Sequence, residues 1–78
     1  MRVMVLFFGV LTGVTGTGTR FYENVKDLEN LRLRIIDDYP GIENYNFRIS
    51  VNNELFSGDN ISLNDGDEVA FIPPFAGG

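Results

Sequence analysis

The chain has 78 residues and a formal net charge of −5, and it contains neither cysteine nor histidine. This length predicts one domain with a modest core, and without cysteine no disulfide bond reinforces it. The absent residue types exclude a cysteine or histidine zinc site and a thiol nucleophile, and the negative charge argues against sequence-independent binding of nucleic acid or of an anionic membrane surface.

Residues 3–11 form an apolar run that predicts the first strand. Alternate residues of a strand face opposite sides, so that Val3, Val5 and Phe7 share one face and Met4, Leu6 and Phe8 share the other. Because both faces are apolar, either the strand is covered twice or its outer face is kept for a partner. A secretory signal is the alternative interpretation, but the charged lead is a single arginine and no Ala-x-Ala cleavage site follows.

Residues 12–19 are rich in threonine and glycine and predict a turn-rich connector. The stretch contains no lysine and matches neither the dinucleotide-binding pattern nor the P-loop pattern. We therefore interpret it as a loop and not as a phosphate site. Residues 20–23 then predict a short second strand that pairs with the first in an antiparallel hairpin.

The next segment has the period of a helix. Its apolar residues recur at steps of three and four, at Val25, Leu28, Leu31, Ile35 and Tyr39, with Ile36 beside them. Asn24 is the predicted N-cap, and Pro40 with Gly41 ends a helix of about 14 residues. Asp37 and Asp38 point about 100° apart on this helix, so we interpret them as solvated residues and not as a catalytic pair.

Residues 47–51 predict a half-buried strand, because every second residue is apolar. Tyr45, just before this strand, is expected to be a satellite residue of the core. A turn at residues 52–53 follows, and residues 54–56 are expected to form a brief return strand.

Ile61 and Leu63 are expected to fill the core ahead of a tight turn at residues 64–67. The acidic residues of this turn resemble half of a calcium-binding loop at most, because the distant closing glutamate is missing. Turn chemistry is sufficient to explain them, and we expect no metal site.

The last strand, residues 68–72, is predicted to place Val69 and Phe71 inward and Ala70 and Ile72 outward. A long first strand and a long last strand, with a helix crossing between two hairpins, favour a mixed sheet of about four or five strands packed on one main helix. This α+β architecture is the ubiquitin-like β-grasp. We expect the domain to occupy residues 1–72.

Residues 73–78 are expected to leave the domain as an extended, flexible tail. Pro73 and Pro74 fix φ and withhold two backbone donors, so strand pairing stops before them. Gly77 and Gly78 lack side chains and make a thread slim enough to present its terminal carboxylate inside a narrow channel of a second protein. A frayed end without function is the alternative.

Three segments together resemble the MoaD family, the small subunits of molybdopterin synthase. The ending at residues 65–78, DGDEVAFIPPFAGG, is similar to the family's C-terminal signature, residues 5–9, VLFFG, to its first strand, and residues 50–53 to its turn. A Gly-Gly end alone is shared with thiamin sulfur carriers, ubiquitin-like modifiers and archaeal modifier proteins. Members of the family often carry Arg and Glu in a short helical turn where this chain has residues 12–19, so no partner contact is carried over to that stretch.

The resemblance implies a sulfur carrier that is a co-substrate and not an enzyme by itself. The carboxylate of Gly78, which follows Gly77, would be adenylated by a ubiquitin-activating-type (MoeB-like) enzyme with ATP and Mg²⁺, and a sulfur donor would convert it to a thiocarboxylate. The large (MoaE-like) subunit would receive the tail, and two sulfur transfers to cyclic pyranopterin monophosphate would build the dithiolene. The carrier would bind no cofactor or metal and would be cytoplasmic.

The resemblance and the strand parity together predict a partner surface around the tail. It consists of Phe8, Leu55, Ile72, Pro73, Pro74, Phe75 and Ala76. The acidic residues Asp65, Asp67 and Glu68 are expected to meet basic residues of the activating enzyme. Two other functions stay open: a ubiquitin-like modifier joined to lysines through Gly78, and a sulfur carrier of the thiamin pathway.

Overall fold

The computed structural model describes residues 2–74. The elements in chain order are β1 (Arg2–Phe7), α1 (Leu11–Thr15), β2 (Thr19–Glu23), α2 (Leu28–Asp38), a 3₁₀ helix (Pro40–Asn44), β3 (Arg48–Val51), β4 (Glu54–Leu55) and β5 (Glu68–Ile72). Most of the predicted tail, residues 75–78, lies outside the described residues. The predicted division into a domain and a flexible tail therefore stays a prediction.

The strands form one mixed five-stranded sheet in the order β2-β1-β5-β3-β4. β1 and β5 are parallel and adjacent, with Val5 beside Val69 and Phe7 beside Phe71, whereas the other pairs are antiparallel. A parallel pair needs a long crossover connection, and α2 lies within it. The predicted ubiquitin-like β-grasp is confirmed.

The core lies between one face of the sheet and α2. Its buried side chains include Val3, Val5, Phe7, Val69 and Phe71 from the central strands and Leu28, Leu31 and Ile35 from α2. Both sets follow the predicted periods of two residues in the strands and 3.6 in the helix. Burial of each such side chain contributes about 1.5–3 kcal/mol, and this apolar core holds together a domain that has no disulfide bond.

The predicted loop at residues 12–19 is wrong in its first part, because Leu11–Thr15 form the helix α1. Leu11 is fully buried and Val14 packs against the core, so their spacing of three residues gives α1 an apolar face. Gly16 ends the helix in the left-handed region, with a φ of 76°. The apolar pair within a threonine and glycine series is the signal that the loop interpretation missed.

The strands agree with the predicted ones except at their ends. β1 stops at Phe7 and not at residue 11, because the chain turns there into α1. β2 is antiparallel to β1, as predicted. β3 begins at Arg48, one residue later than predicted, while the half-buried Phe47 still packs its ring 5.1 Å from that of Phe71.

α2 begins later than predicted. Asn24 has a φ of 57° and does not cap the helix, whereas Asp27 is the N-cap and accepts a hydrogen bond from the Asn30 N–H at 2.8 Å. The Leu28 N–H donates to the Ile61 carbonyl at 2.9 Å, which ties the start of the helix to the loop before β5. Asparagine and aspartate are about equally good caps, so the residue type of Asn24 alone did not locate the start of the helix.

Asp38 is exposed, as predicted, but it also has two partners in β2. Its carboxylate accepts a hydrogen bond from the Tyr22 hydroxyl at 2.8 Å and lies 3.0 Å from Nη1 of Arg20. Asp37 is exposed, as predicted. Asp38 thus ties the last turn of α2 to β2, and these partners compensate for an acid placed at the negative end of the helix dipole.

Two residues predicted for the core lie largely outside it. Tyr45 is 39% exposed and Ile61 is 40% exposed. The 3₁₀ helix buries Ile42 completely, whereas Tyr45, which directly follows this helix, does not enter the core; Leu63 is buried as predicted. Both errors fall in irregular segments, where no period tells which apolar residue turns inward.

Candidate functional site at the outer face of the sheet

The sheet face opposite α2 is the outer face, and the strand register gives its rows. One row, in the order of neighbouring strands, consists of Leu6, Ala70, Ser50 and Leu55. Ala70 and Ser50 are buried although they lie on the outer face, because they are small and flanked by larger side chains, whereas Leu55 is 56% exposed. The row therefore forms a shallow, mostly apolar surface, with Leu55 at its edge.

The next row lies where β5 ends. Ile72 is the register partner of Arg48. The Phe8 N–H donates to the Phe71 carbonyl at 3.2 Å, which extends the pairing of β1 with β5 by one step and puts Phe8 beside Ile72. Phe8 is 46% exposed and Ile72 is half-buried. An apolar pair with a neighbouring cation therefore stands at the point where the chain leaves the sheet.

Gly9 and Pro73 define the direction in which the chain leaves. Gly9 has a φ of 56°, and a Cβ built on it would lie 3.0 Å from Cγ of Pro73. Glycine permits this close approach because it has no side chain. The Gly9 carbonyl also accepts a hydrogen bond from the Thr12 hydroxyl at 2.8 Å, so the corner that contacts Pro73 is fixed to α1.

The structure brings together only part of the predicted partner surface. Phe8, Ile72 and Pro73 form a compact group, and Pro74 follows them as an exposed residue. Leu55 lies two strands from β5, on the order of 10 Å away at the usual strand spacing. The predicted interface residues Phe75 and Ala76 lie outside the described residues, as do Gly77 and Gly78, to which the predicted chemistry is assigned.

Sequence reasoning placed Leu6 and Ala70 on this face but left them, and Arg48, out of the predicted partner surface. Leu6 and Ala70 belong to the same row as the predicted residue Leu55, and Arg48 lies beside Ile72. The signal was present in the period of two, which puts Arg48 on the face opposite Ile49. The register between strands, which period alone does not give, decides that these residues are neighbours.

The predicted acidic group lies at the other end of β5. Asp65 accepts a hydrogen bond from the Arg2 N–H at 2.8 Å, and Asp67 accepts from the Asn64 N–H at 2.7 Å and from Asn52 Nδ2 at 3.0 Å. These carboxylates therefore hold the turn before β5 against its neighbours. A contact of the group with an activating enzyme stays a prediction.

The titratable groups with shifted pKa values stand on or next to β2 and α2. Burial, together with the hydrogen bond to Asp38, raises the pKa of Tyr22 well above its usual value. A hydrogen bond to the Tyr39 hydroxyl raises the pKa of Arg20. The hydrogen bond from the Asn30 N–H lowers the pKa of Asp27. The shifts of Tyr22 and Arg20 arise where the C-terminal end of α2 meets β2, whereas the shift of Asp27 arises at the N-cap of α2 itself.

Within residues 2–74, no group of three or more acidic, histidine or cysteine side chains is placed to hold a metal ion. The same part of the chain contains no helix with the length and apolar character needed to cross a bilayer. Residues 2–74 do present an apolar outer face, which lies next to the point where the chain leaves β5.

The ThiS family model matches residues 5–78, which is nearly the whole chain. The chain belongs to the ThiS family. A relative from Mycobacterium tuberculosis, named molybdopterin synthase sulfur carrier subunit, is 33% identical over 82 residues, covering 100% of this chain and 99% of the relative. This finding confirms the resemblance that the ending of the ThiS-family chain indicated.

Two solved structures are similar to this ThiS-family chain over its length. One is a complex of subunits 1 and 2 of molybdopterin-converting factor from Helicobacter pylori, with a TM-score of 0.77, 31% identity and 100% coverage of both chains. The other is small archaeal modifier protein 1 from Methanosarcina acetivorans, with a TM-score of 0.83, 22% identity and coverage of 99% and 96%. At that identity the second likeness shows the fold alone.

Proposed function

We propose that this ThiS-family chain is the sulfur-carrier small subunit of molybdopterin synthase. The observation that carries the proposal is the combination of a full-length likeness to a named sulfur carrier subunit with a central strand, β5, that leads directly into Pro73, Pro74 and the Gly77-Gly78 ending. The chain has no cysteine to carry sulfur as a persulfide. The C-terminal carboxylate of Gly78 is the group that we assign to this task.

The proposed chemistry has two activation steps. The Gly78 carboxylate attacks ATP, which a MoeB-like enzyme binds with Mg²⁺, and forms an acyl adenylate with release of pyrophosphate. A sulfur donor that supplies sulfide then attacks the acyl carbon and displaces AMP, because adenylate is a good leaving group where the free carboxylate has none. The product is a thiocarboxylate on the main chain, which requires no side-chain nucleophile in the carrier.

The thiocarboxylate then serves as a co-substrate in the large (MoaE-like) subunit. Two successive carriers each transfer one sulfur to cyclic pyranopterin monophosphate: the thiocarboxylate sulfur bonds to the pterin, and water then cleaves the acyl–sulfur bond, so that each carrier returns with a carboxylate at Gly78. Gly77 and Gly78 suit this role because a tail without side chains fits two different active sites. On this proposal the chain is not an enzyme by itself and binds no cofactor, and its cytoplasmic location stays a prediction.

The outer face is the proposed dock for the large subunit. Phe8, Ile72 and Pro73 surround the start of the tail, and a partner that covers them is thereby positioned to receive the residues that follow. Their partly exposed apolar surface is of the kind that protein partners bury. The H. pylori structure, a complex of two subunits, makes a large subunit the natural partner to test.

The decisive experiment is an intact-mass measurement after incubation with an activating enzyme, ATP and a sulfur donor. We expect a gain that corresponds to the exchange of one oxygen for sulfur, and no gain in a variant that lacks Gly78. A variant without Gly78 that still supports dithiolene formation contradicts the proposal. A ladder of heavier conjugates on immunoblots, without the sulfur adduct, supports a protein modifier instead.

A further inference from the structure

β2 is an edge strand of the sheet, and one of its sides has no neighbouring strand within the described part of the chain. The Phe7 N–H donates to the Gly18 carbonyl, which sets the alternation of the antiparallel ladder. With this alternation, the backbone groups that point to the free side are those of Thr19, Phe21 and Glu23. Open N–H and C=O groups on such an edge are a template for the addition of another strand.

The side chain of Thr17 covers the first of these positions, which is Thr19. Its hydroxyl donates to the Thr19 carbonyl at 2.8 Å and accepts from the Thr19 N–H at 3.3 Å. One side chain thus satisfies both backbone groups of Thr19, as a residue of a neighbouring strand would. An added strand has to displace this hydroxyl before it pairs at Thr19.

The side chain of Arg34, which belongs to α2, covers the other end of the edge at Glu23. Its Nη1 donates to the Glu23 carbonyl at 2.6 Å, and its guanidinium lies 5.2 Å from the centroid of the Tyr22 ring. The cation–π contact helps to hold the guanidinium in place. Between the two covered positions, neither backbone group of Phe21 has a hydrogen-bond partner among residues 2–74, and the Phe21 side chain is 49% exposed.

The sequence of β2 is complementary to itself in an antiparallel pairing centred on Phe21. Such a pairing places Phe21 opposite its copy, Arg20 opposite Tyr22, and Thr19 opposite Glu23. In this pairing no two residues of like charge lie opposite each other. Arg20 lies opposite the aromatic ring of Tyr22, and the two residues already interact within one chain, where the Arg20 guanidinium lies 4.6 Å from the Tyr22 centroid. The flanking hydrogen bonds of this pairing are the ones that Thr17 and Arg34 prevent.

We propose that β2 is a latent self-association edge, whose occupant is the β2 strand of a second copy of this chain, and that Thr17 and Arg34 keep the edge closed. The pairing at Phe21 alone is too short to hold two chains, because an isolated pair of strands needs more than one bonded position to be stable in water. This inference concerns the edge opposite β4 and does not depend on the proposed function of Gly78.

The first test removes both covering side chains. T17V/R34L is compared with the control T12V/R32L, which removes the same chemical groups from Thr12, bonded to Gly9, and Arg32, paired with Glu29. Sedimentation equilibrium over a concentration series is expected to show a dimer dissociation constant at least about tenfold lower for T17V/R34L than for the wild type and the control. Adding Phe21→Glu to T17V/R34L is expected to restore the monomer.

A T17V/R34L variant with a wild-type circular dichroism spectrum that stays as monomeric as the wild type overturns the proposal. Equal dimerisation of T12V/R32L, or a dimer that survives Phe21→Glu, also overturns it. If T17V/R34L fails to fold, amide hydrogen exchange of the wild type and of T17V alone decides. We expect slow exchange at Thr19, fast exchange at Phe21, and loss of the Thr19 protection in T17V; equally fast exchange at both amides in the wild type overturns the proposal.

Discussion

Asp27 is the residue from which α2 starts, and one carboxylate accounts for much of that local structure. Its side chain accepts the hydrogen bond from the Asn30 N–H, which otherwise has no partner in the first turn of the helix. That hydrogen bond is the main cause that lowers the pKa of Asp27, and a contact with the Asn60 side chain adds to it. The ionised carboxylate is therefore favoured in the folded state.

This coupling predicts a pH dependence of stability that belongs to Asp27. Because the folded pKa is lower than the unfolded one, the contribution is complete above the unfolded pKa of about 3.9 and is lost as the pH falls through the folded pKa. Asp27→Asn keeps a good N-cap but does not titrate. We expect its melting temperature to lie below that of the wild type at neutral pH and to approach it as the pH falls below about 4.

The control for the loss of one negative charge is Asp37→Asn, an exposed position near the other end of the same helix. Melting temperatures of the three proteins, measured by circular dichroism from neutral to acidic pH, give the comparison. A difference between wild type and D27N that does not change with pH, or the same change in D37N, contradicts the prediction.

At the scale of elements, α1 shows how little sequence is needed to build a helix when tertiary contacts support it. Helix α1 has five residues, far fewer than an isolated helix needs in water, and it forms because Leu11 is buried and Val14 packs against the core. The Gly9 corner on its N-terminal side contacts Pro73. The element that was predicted as a loop thus supports the start of the tail.

Gly13 lies inside α1 and is expected to limit its stability. A Cβ built on Gly13 meets nothing within 4 Å. Gly13→Ala should therefore stabilise the protein by about 0.5–1 kcal/mol, because alanine loses less backbone entropy on folding than glycine does. Urea unfolding monitored by circular dichroism measures the change in the free energy of unfolding.

Gly16→Ala is the matched control, because its Cβ also meets open space but its φ is 76°. We expect it to destabilise the protein by about 1 kcal/mol, since alanine is strained in the left-handed region. Equal effects of the two substitutions would show that backbone conformation in α1 differs from the one described.

At the scale of the whole molecule, periodic patterns predicted correctly which residues face the core, wherever no tertiary contact changed the local structure. The period of two gave the inward residues of β1 and β5, and the period of 3.6 gave those of α2, because both patterns reflect burial against a single core. Asn24 was wrongly predicted as the N-cap because a contact with a distant segment, at the Ile61 carbonyl, helps to fix the start of α2 at Leu28. Tyr45 was wrongly predicted because no period marks the inward residue of an irregular segment. The outer face was predicted only in part, since its rows depend on register between strands that are far apart in sequence.

Substitutions in the outer face test whether this surface binds the large subunit, as the proposed function requires. If the large subunit docks there, Phe8→Asp or Ile72→Asp places a charge in an apolar interface and removes contact area. We expect the dissociation constant for the large subunit to rise by about 10- to 100-fold, which corresponds to roughly 1.4–2.8 kcal/mol. Isothermal titration calorimetry with the purified large subunit measures this change.

Leu33→Asp is the control for this prediction, because Leu33 is 54% exposed on α2, which packs against the opposite face of the sheet. Aspartate at Leu33 makes the same change of charge and also removes a large apolar side chain, and it should leave the dissociation constant unchanged. If Phe8 and Ile72 only cover each other as surface neighbours, their aspartate variants bind as tightly as the wild type while the fold stays intact. That outcome would remove the outer face from the proposed docking site, whereas thiocarboxylate formation at Gly78 would be unaffected.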